Sequence, residues 1–455
     1  LQGDLGLALA HPLYIMIGMA AKQIPVGDLA HRVNLISAVF GAVAIANVYL
    51  LMMLWMGNRF TSIITAVTLA VSWTFWQHCT IAEVYTLYAA ILTAELIALL
   101  RYTQTSKVGW LYLLAFLNGL SIADHMWGIL PLTCYVVFVG MLLRQRSIGF
   151  RSILVMATLW VIGAAPYEYL IINEMIRTGD VGGTLASALF GNMWKGDVLN
   201  TSLTLRMVLE NIAFVVLNFP TPNIVFFFIG ALSIRRLPSR RFGVIILSMM
   251  AMFFAFAFRY TVADRHAFFV PFYILAALCI GAGVHLFIAR HTTSLMRAAL
   301  LALAVIPVGV YCLTPTIGRH FYKSLADRRQ VPYRDDYKYW LQPWQTGYTG
   351  GERFATEALT KVDKNAVIYA DSTTALTLIY IHETRKMRPD VKVMSDFIAE
   401  PGAPALTEQA ITEYMDRYPF YVVSARVGYC PQFLSEKYNM AKEGVLYHVL
   451  NRKGS

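Results

Sequence analysis

The chain has 455 residues, of which 57% are hydrophobic and 14% charged, and its mean hydropathy is +0.53. Soluble domains carry about 25% charged residues, so most of this chain is not a soluble domain. The net charge of +11 is no nucleic-acid footprint, because Lys and Arg collect in short loops between apolar segments, which is a topology signal.

Residues 1–32 precede the first long apolar stretch and open at Leu1-Gln2-Gly3-Asp4, in mid-motif, so a further span is expected ahead of residue 1. A membrane-crossing helix needs about 20 apolar residues. Ten stretches read as spans: 33–56, 61–77, 83–100, 107–123, 126–143, 152–172, 221–234, 242–258, 267–289 and 298–316. Residues 204–219 are also apolar and read as an interfacial or re-entrant helix, because another crossing would spoil the charge pattern. In that pattern, Arg59, Arg101, Lys107, Arg144, Arg146, Arg151, Arg235, Arg236, Arg240, Arg241, Arg290 and Arg297 fall on one set of loops. The alternate short loops around 78–82 and 124–125 hold no Lys or Arg. The positive-inside rule makes the first set cytoplasmic and turns the other face outward.

The composition changes near residue 318. An amphipathic stretch at 351–362 is followed by the short β-branched runs Ala366–Ala370, Val391–Met394 and Phe420–Val423, with helical segments between them. Such alternation predicts βαβ units and a small parallel sheet. The expected organisation is a transmembrane helical bundle over 1–317 and an extramembrane α/β domain over 318–455. The cysteines at 79, 134, 279, 312 and 430 have no metal or redox spacing, and Cys134, Cys279 and Cys312 read as packing residues. There is no phosphate-binding glycine loop, and no divalent metal is indicated. Asp371-Ser372-Thr373 at a strand end is compatible with a ligand site of an open sheet and with a plain helix N-cap.

The outward ends of the spans collect the residues that could carry chemistry. Glu83 lies in Trp73–Tyr88, a segment with a carboxylate, a histidine and several aromatics. Asp124-His125 occupies another turn, Glu168 follows Pro166-Tyr167, and Asp264-Arg265-His266 precedes an apolar run. Ionisable groups at membrane depth usually face a cavity or a partner. A carboxylate can serve as general base, and an arginine can hold a phosphate in bidentate fashion. Plainer roles stand beside these. Glu83 suits the first turn of a helix, Asp124-His125 a satisfied turn pair, Arg265 an ion pair with Asp264, and Glu168 a buried hydrogen-bond partner.

Ile81-Ala82-Glu83-Val84-Tyr85-Thr86-Leu87 resembles the signature of a protein O-mannosyltransferase-like membrane family, formerly a domain of unknown function. Ala10-His11-Pro12-Leu13-Tyr14, Arg32–Ala42, Gly119–His125 and Arg388-Pro389-Asp390-Val391 resemble further elements of it in the same order. The resemblance implies a GT-C glycosyltransferase: a mainly α, polytopic helical bundle with an exoplasmic active site. It further implies an inverting transfer of a sugar, mannose among the candidates, from a polyprenyl-phosphate carrier to a protein or glycan hydroxyl. On this reading Glu83, Asp124, His125 and Asp4 are the catalytic candidates, and Arg265 and His266 bind the donor phosphate. His11, Tyr85 and Glu168 line the pocket. The family's main carboxylates fall before residue 1, Asp4 is the nearest acid present, and Asp124 stands where the family has Asn. Those departures keep a second reading open, a non-catalytic membrane subunit of a larger complex. A transporter ranks last, since no repeat is visible and the polar residues sit at one face. The expected setting is a bacterial inner membrane, with the C-terminal domain periplasmic. The expected partners are membrane lipid, a lipid-linked sugar and its acceptor.

Overall fold

The computed structural model describes residues 11–191, 195–262, 264–290, 293–321, 331–396 and 406–454. Asp4 lies outside them. The chain divides into two compact units, Leu1–Thr314 with Gln342–Trp344, and Pro315–Leu341 with Gln345–Ser455.

The first unit is helical. Its elements are α1 (Pro12–Lys22), α2 (Leu29–Met56), α3 (Arg59–Ala70), α4 (Trp73–His78), α5 (Tyr85–Thr105), α6 (Gly109–Asp124) and α7 (Ile129–Arg144). They continue with α8 (Phe150–Thr178), α9 (Val181–Phe190), α10 (Lys195–Val198), α11 (Leu205–Asn218), α12 (Val225–Ser233), α13 (Arg240–Arg259), α14 (Val270–Ile288) and α15 (Ser294–Phe321), whose residues from Pro315 on fall in the second unit. The boundaries follow local chemistry. Asp28 caps α2 by accepting from the His31 amide at 2.8 Å, and Gly57 ends it in the left-handed conformation. Asn58 caps α3 through the Thr61 amide at 3.0 Å.

Seven described helices are long and apolar enough to cross a membrane: α2, α5, Met126–Arg144, α8, α13, Arg265–Ile288 and α15. An eighth crossing is counted if α11 and Pro222–Arg236, which meet at 107°, form one bent span. The ten expected spans are therefore too many by length. The stretch 61–77 breaks where Ser72 turns extended, which leaves α3 with 12 residues, about 18 Å of helix. α6 has 16 residues and α12 nine.

α14 is buried along nearly its whole length and forms the centre of the first unit. Close approach fixes α6 against α8. A Cβ at Gly119 would meet the Trp160 carbonyl at 2.2 Å, and one at Gly163 would meet the Phe116 carbonyl at 2.3 Å. Small residues at such crossings let membrane helices approach backbone to backbone. The end of α6, which carries Asp124, is thereby held in place.

The second unit carries α16 (Asp336–Leu341), α17 (Gly350–Lys361), β1 (Val367–Tyr369), α18 (Ala375–Thr384), β2 (Lys392–Met394), α19 (Glu408–Met415), β3 (Phe420–Val422), α20 (Gln432–Lys437), β4 (Tyr438–Glu443) and β5 (Leu446–Arg452). Its sheet has the order β2-β1-β3-β5-β4. β1 pairs in parallel with β2 (Val367↔Lys392) and with β3 (Val367↔Phe420), and β5 runs antiparallel to β3 (Tyr421↔His448). The three predicted runs form the parallel part. The hairpin of β4 and β5 extends it, turning at Gly444 with φ 61°.

The Arg388-Pro389-Asp390-Val391 element is a clamp in this unit. Arg388 Nε and Nη2 reach Asp390 at 2.9 and 2.8 Å. Its Nη1 donates to the carbonyls of Leu359 at 3.0 Å and Val362 at 2.9 Å, and Nη2 to that of Asp363 at 2.7 Å. These are carbonyls at the C-terminal end of α17, which need donors from outside the helix. The Arg388 guanidinium and the Asn365 amide hold the Asp390 carboxyl well below the usual carboxylate range.

Candidate functional site

The first unit contains a cavity of about 760 Å³, within the range of small-molecule sites. His11, Tyr85, Asp124, His125, Arg259 and Asp264 bring polar groups to its wall. Trp127, Tyr167, Phe256, Tyr260 and Phe268 give it an aromatic lining.

Asp124 ends α6 and is fully buried. Neither carboxylate oxygen has a hydrogen-bond partner among the described residues. A buried carboxylate normally has compensating donors, because removing its hydration is costly. Here both oxygens belong to a residue that lines a cavity.

The two histidines beside it are fixed as opposite tautomers. The His11 Nδ1 lies 2.7 Å from the Asp124 carbonyl oxygen. A carbonyl can only accept, so His11 Nδ1–H donates and its Nε2 keeps a lone pair. Burial lowers the His11 imidazole below its ordinary value, which favours this neutral form. His11 sits in the left-handed backbone region at φ 50°, just ahead of Pro12 at the start of α1. His125 is extended, and its Nδ1 accepts from the Trp127 amide at 3.1 Å. Its neutral ring therefore carries the proton on Nε2. The two rings stack at 5.0 Å. Trp127 lies 4.1 Å from His125 and stacks on Tyr85 at 5.2 Å. One wall thus offers an acceptor nitrogen, a donor N–H and a bare carboxylate.

Glu83 lies in the turn before α5, with its amide held by Ser37 Oγ at 3.2 Å. It is half-buried and is not among the residues lining the cavity. Burial first, and the nearby Asp264 charge second, push its carboxyl up to about 7.

Arg265 is turned elsewhere. Its side chain is 8% exposed, ion-paired to Glu210 of α11 and stacked over Phe214 at 5.6 Å. His266 contacts Gln77 Oε1 at 3.2 Å and neighbours Trp73 and His78. Neither residue lines the cavity. Glu168 is likewise absent from the lining, although Tyr167 beside it belongs there and donates to the Ala188 carbonyl at 2.9 Å. Successive residues on a helix point about 100° apart, which separates the two.

Arg259 is the residue that sequence reasoning missed. It ends α13 and is the sole Lys or Arg among the described residues lining the cavity. Its Nη1 donates to the carbonyls of Val198 and of Asn200, the latter at 2.8 Å, and its guanidinium lies over Phe256 at 5.6 Å. Those contacts orient the fork and leave further N–H groups uncommitted among the described residues. A lone arginine at the end of an apolar run reads as a membrane anchor, so nothing local in the sequence marked it.

Among the described residues no cluster of three or more His, Cys, Asp or Glu side chains could hold a metal ion. The cavity wall presents carboxylates, imidazoles, one guanidinium and aromatic faces.

Comparison with known proteins adds an independent line. The family described as "Protein O-mannosyl-transferase TMEM260 N-terminal domain" matches residues 7–147. The mouse (Mus musculus) protein O-mannosyl-transferase TMEM260 is 25% identical over 182 residues, which is 37% of this chain and 26% of the mouse protein. Among solved structures, ArnT from Cupriavidus metallidurans bound to undecaprenyl phosphate is similar with a TM-score of 0.61 at 16% identity, covering 96% of this chain and 87% of that one. Its apo form gives 0.58 with the same coverage. At that identity the likeness establishes the fold alone, a membrane helical bundle of GT-C type.

Proposed function

We propose that this chain, whose residues 7–147 match the protein O-mannosyl-transferase TMEM260 N-terminal domain, is an inverting glycosyltransferase. It moves a sugar, with mannose the first candidate, from a polyprenyl-phosphate carrier to a hydroxyl of a protein or glycan. The cavity faces the exoplasmic side, where the turns without Lys or Arg lie. The observation that carries the reading is the fully buried Asp124 carboxylate, unpartnered among the described residues and lining the cavity beside Arg259, His11 and His125.

Asp124 accepts the proton of the acceptor hydroxyl as general base. The resulting oxygen attacks the anomeric carbon from the face opposite the phosphate. The bond between that carbon and the phosphate oxygen breaks, and the electron pair leaves with the polyprenyl phosphate. Arg259 pairs with the charge that builds there, as a guanidinium suits phosphate better than a point charge does. His125 Nε2–H donates to, and His11 Nε2 accepts from, sugar or acceptor groups. The aromatic lining packs against the sugar and excludes water. Glu83, held near neutrality, is a reserve proton acceptor close to Asp264.

The test is sugar transfer from a panel of radiolabelled polyprenyl-phosphate sugars, by membranes carrying the full chain. Transfer with one donor, giving a product of inverted anomeric configuration, is expected. Absence of transfer with every donor, from folded and inserted protein, would replace this reading with a non-catalytic membrane subunit.

A further inference from the structure

Beneath the Asp124–Gly128 turn lies a second carboxylate that the proposed chemistry does not use. Glu95 of α5 is fully buried. Its Oε1 accepts from Ser121 Oγ at 2.5 Å and from Asn118 Nδ2 at 3.4 Å, and its Oε2 accepts from the Tyr135 hydroxyl at 2.8 Å. Ser121 and Asn118 belong to α6 and Tyr135 to α7. Unlike Asp124, this carboxylate meets a donor on each oxygen.

The partners lead directly to the turn. The Ser121 carbonyl accepts the His125 amide at 2.7 Å. Asn118 Nδ2 also reaches the Gly128 carbonyl at 3.1 Å, and Asn118 Oδ1 accepts from Trp160 Nε1 of α8 at 3.0 Å. The turn is thus gripped before His125, through Ser121, and after Trp127, through Gly128. It is packed tightly enough that a Cβ on Gly128 would come within 2.9 Å of Ile122.

We infer that Glu95 is a positioning residue: it ties α6, α7 and, through Asn118, α8 into one frame that sets the direction in which Asp124 and His125 face the cavity. A buried polar network is costly when partly satisfied and rigidifies its surroundings when complete. That cost is reasonable where one turn must hold a base and a donor in fixed geometry, since small misplacements slow reactions strongly. The consequence for catalysis rests on the glycosyltransferase reading; the placement of the turn does not.

Glutamine can stand in for Glu95. Its amide oxygen can accept from Ser121 and Asn118, and its NH₂ can donate to the Tyr135 hydroxyl, which accepts as well as donates. Alanine leaves the buried Ser121 and Tyr135 hydroxyls without an acceptor and Asn118 Nδ2 with the Gly128 carbonyl alone. The experiment is hydrogen exchange by mass spectrometry on the full chain in detergent, for the parent, Glu95→Gln and Glu95→Ala. In Glu95→Ala, residues 121–130 are expected to exchange at least tenfold faster than in the parent, with α14 unchanged and Glu95→Gln within twofold of the parent. Unchanged exchange over 121–130 in Glu95→Ala, or equal acceleration in α14, would overturn the inference. Should Glu95→Ala fail to fold, Ser121→Ala removes one donor alone and is expected to loosen the same segment by a smaller factor; no local change would again overturn it. In the transfer assay, Glu95→Ala is expected to lower kcat at least tenfold with donor KM within twofold, and Glu95→Gln to restore kcat. A parent without transfer would count against the glycosyltransferase reading only, and the exchange result would still decide this one.

Discussion

Two motifs that resemble the same family behave in opposite ways. In the second unit, the Arg388-Asp390 element is saturated: the guanidinium meets one carboxylate and three carbonyls, and the carboxylate also accepts the Asn365 amide. In the first unit, the Asp124 carboxylate is buried and meets no donor among the described residues. Both motifs set an acidic residue at or beside a turn, and sequence alone treats them alike. The difference is that a saturated carboxylate is part of the fold, whereas a buried one that meets no donor and lines a cavity fits the proposed role at a ligand. The first is architecture; the second is the proposed site.

Substitutions can sharpen or break that contrast. After the proposed base itself, the largest effect is expected at Arg259. Arg259→Ala should lower transfer efficiency about a hundredfold, mainly through donor KM, since a charge-assisted phosphate contact contributes about 1.5–3 kcal/mol; steady-state kinetics against donor concentration checks this. Arg388→Ala should lower the stability of its unit by about 2–3 kcal/mol, because carbonyls of α17 lose their donors, as read by thermal unfolding. Asp124→Asn should act with the opposite sign on stability and raise it by about 1–2 kcal/mol, since a buried ionisable group without donors is unfavourable. A fall of similar size in both variants would erase the contrast.

A separate effect is a pH dependence at Glu83. Its folded carboxyl titrates at about 7, against an ordinary 4.5. Between those values the unfolded chain holds fewer protons than the folded one, so stability falls as pH rises through that window. The contribution is most favourable at acid pH and is lost near neutrality. Glu83→Gln should flatten the change of thermal midpoint between pH 4.5 and 7; an unaltered profile would show that other groups set it.

Much of this was legible in the sequence, for identifiable reasons. Composition and loop charge gave a helical membrane bundle, since hydrophobic length and Lys/Arg bias are properties of segments. The runs at 367, 392 and 420 were legible as parallel strands because β-branched residues alternate with helices there. The number of spans was not, because Ser72 breaks a stretch that hydropathy reads as continuous. The hairpin of β4 and β5 was hidden by its polar residues, which leave no clean alternation. Tyr85, Asp124, His125 and His11, which the family resemblance put together, line one cavity, whereas Glu168, Arg265 and His266 do not. Arg265 and Arg259 are both arginines at a span end, and only the fold decides which one turns to the cavity and which pairs with Glu210. Glu95 sits in mid-span, where its donors come from residues 23, 26 and 40 positions away. No local pattern marks a partner at that distance.

The most direct measurement is sugar transfer by Asp124→Asn beside the parent in the same membranes, with binding of the polyprenyl-phosphate donor recorded in parallel. Asparagine keeps the shape of the side chain and removes the base. Donor binding within twofold of the parent, with transfer reduced by about 10²–10⁴, is the expected result. Transfer by Asp124→Asn at a rate close to that of the parent would contradict the assignment and send the search for the base to Glu83 or to another carboxylate.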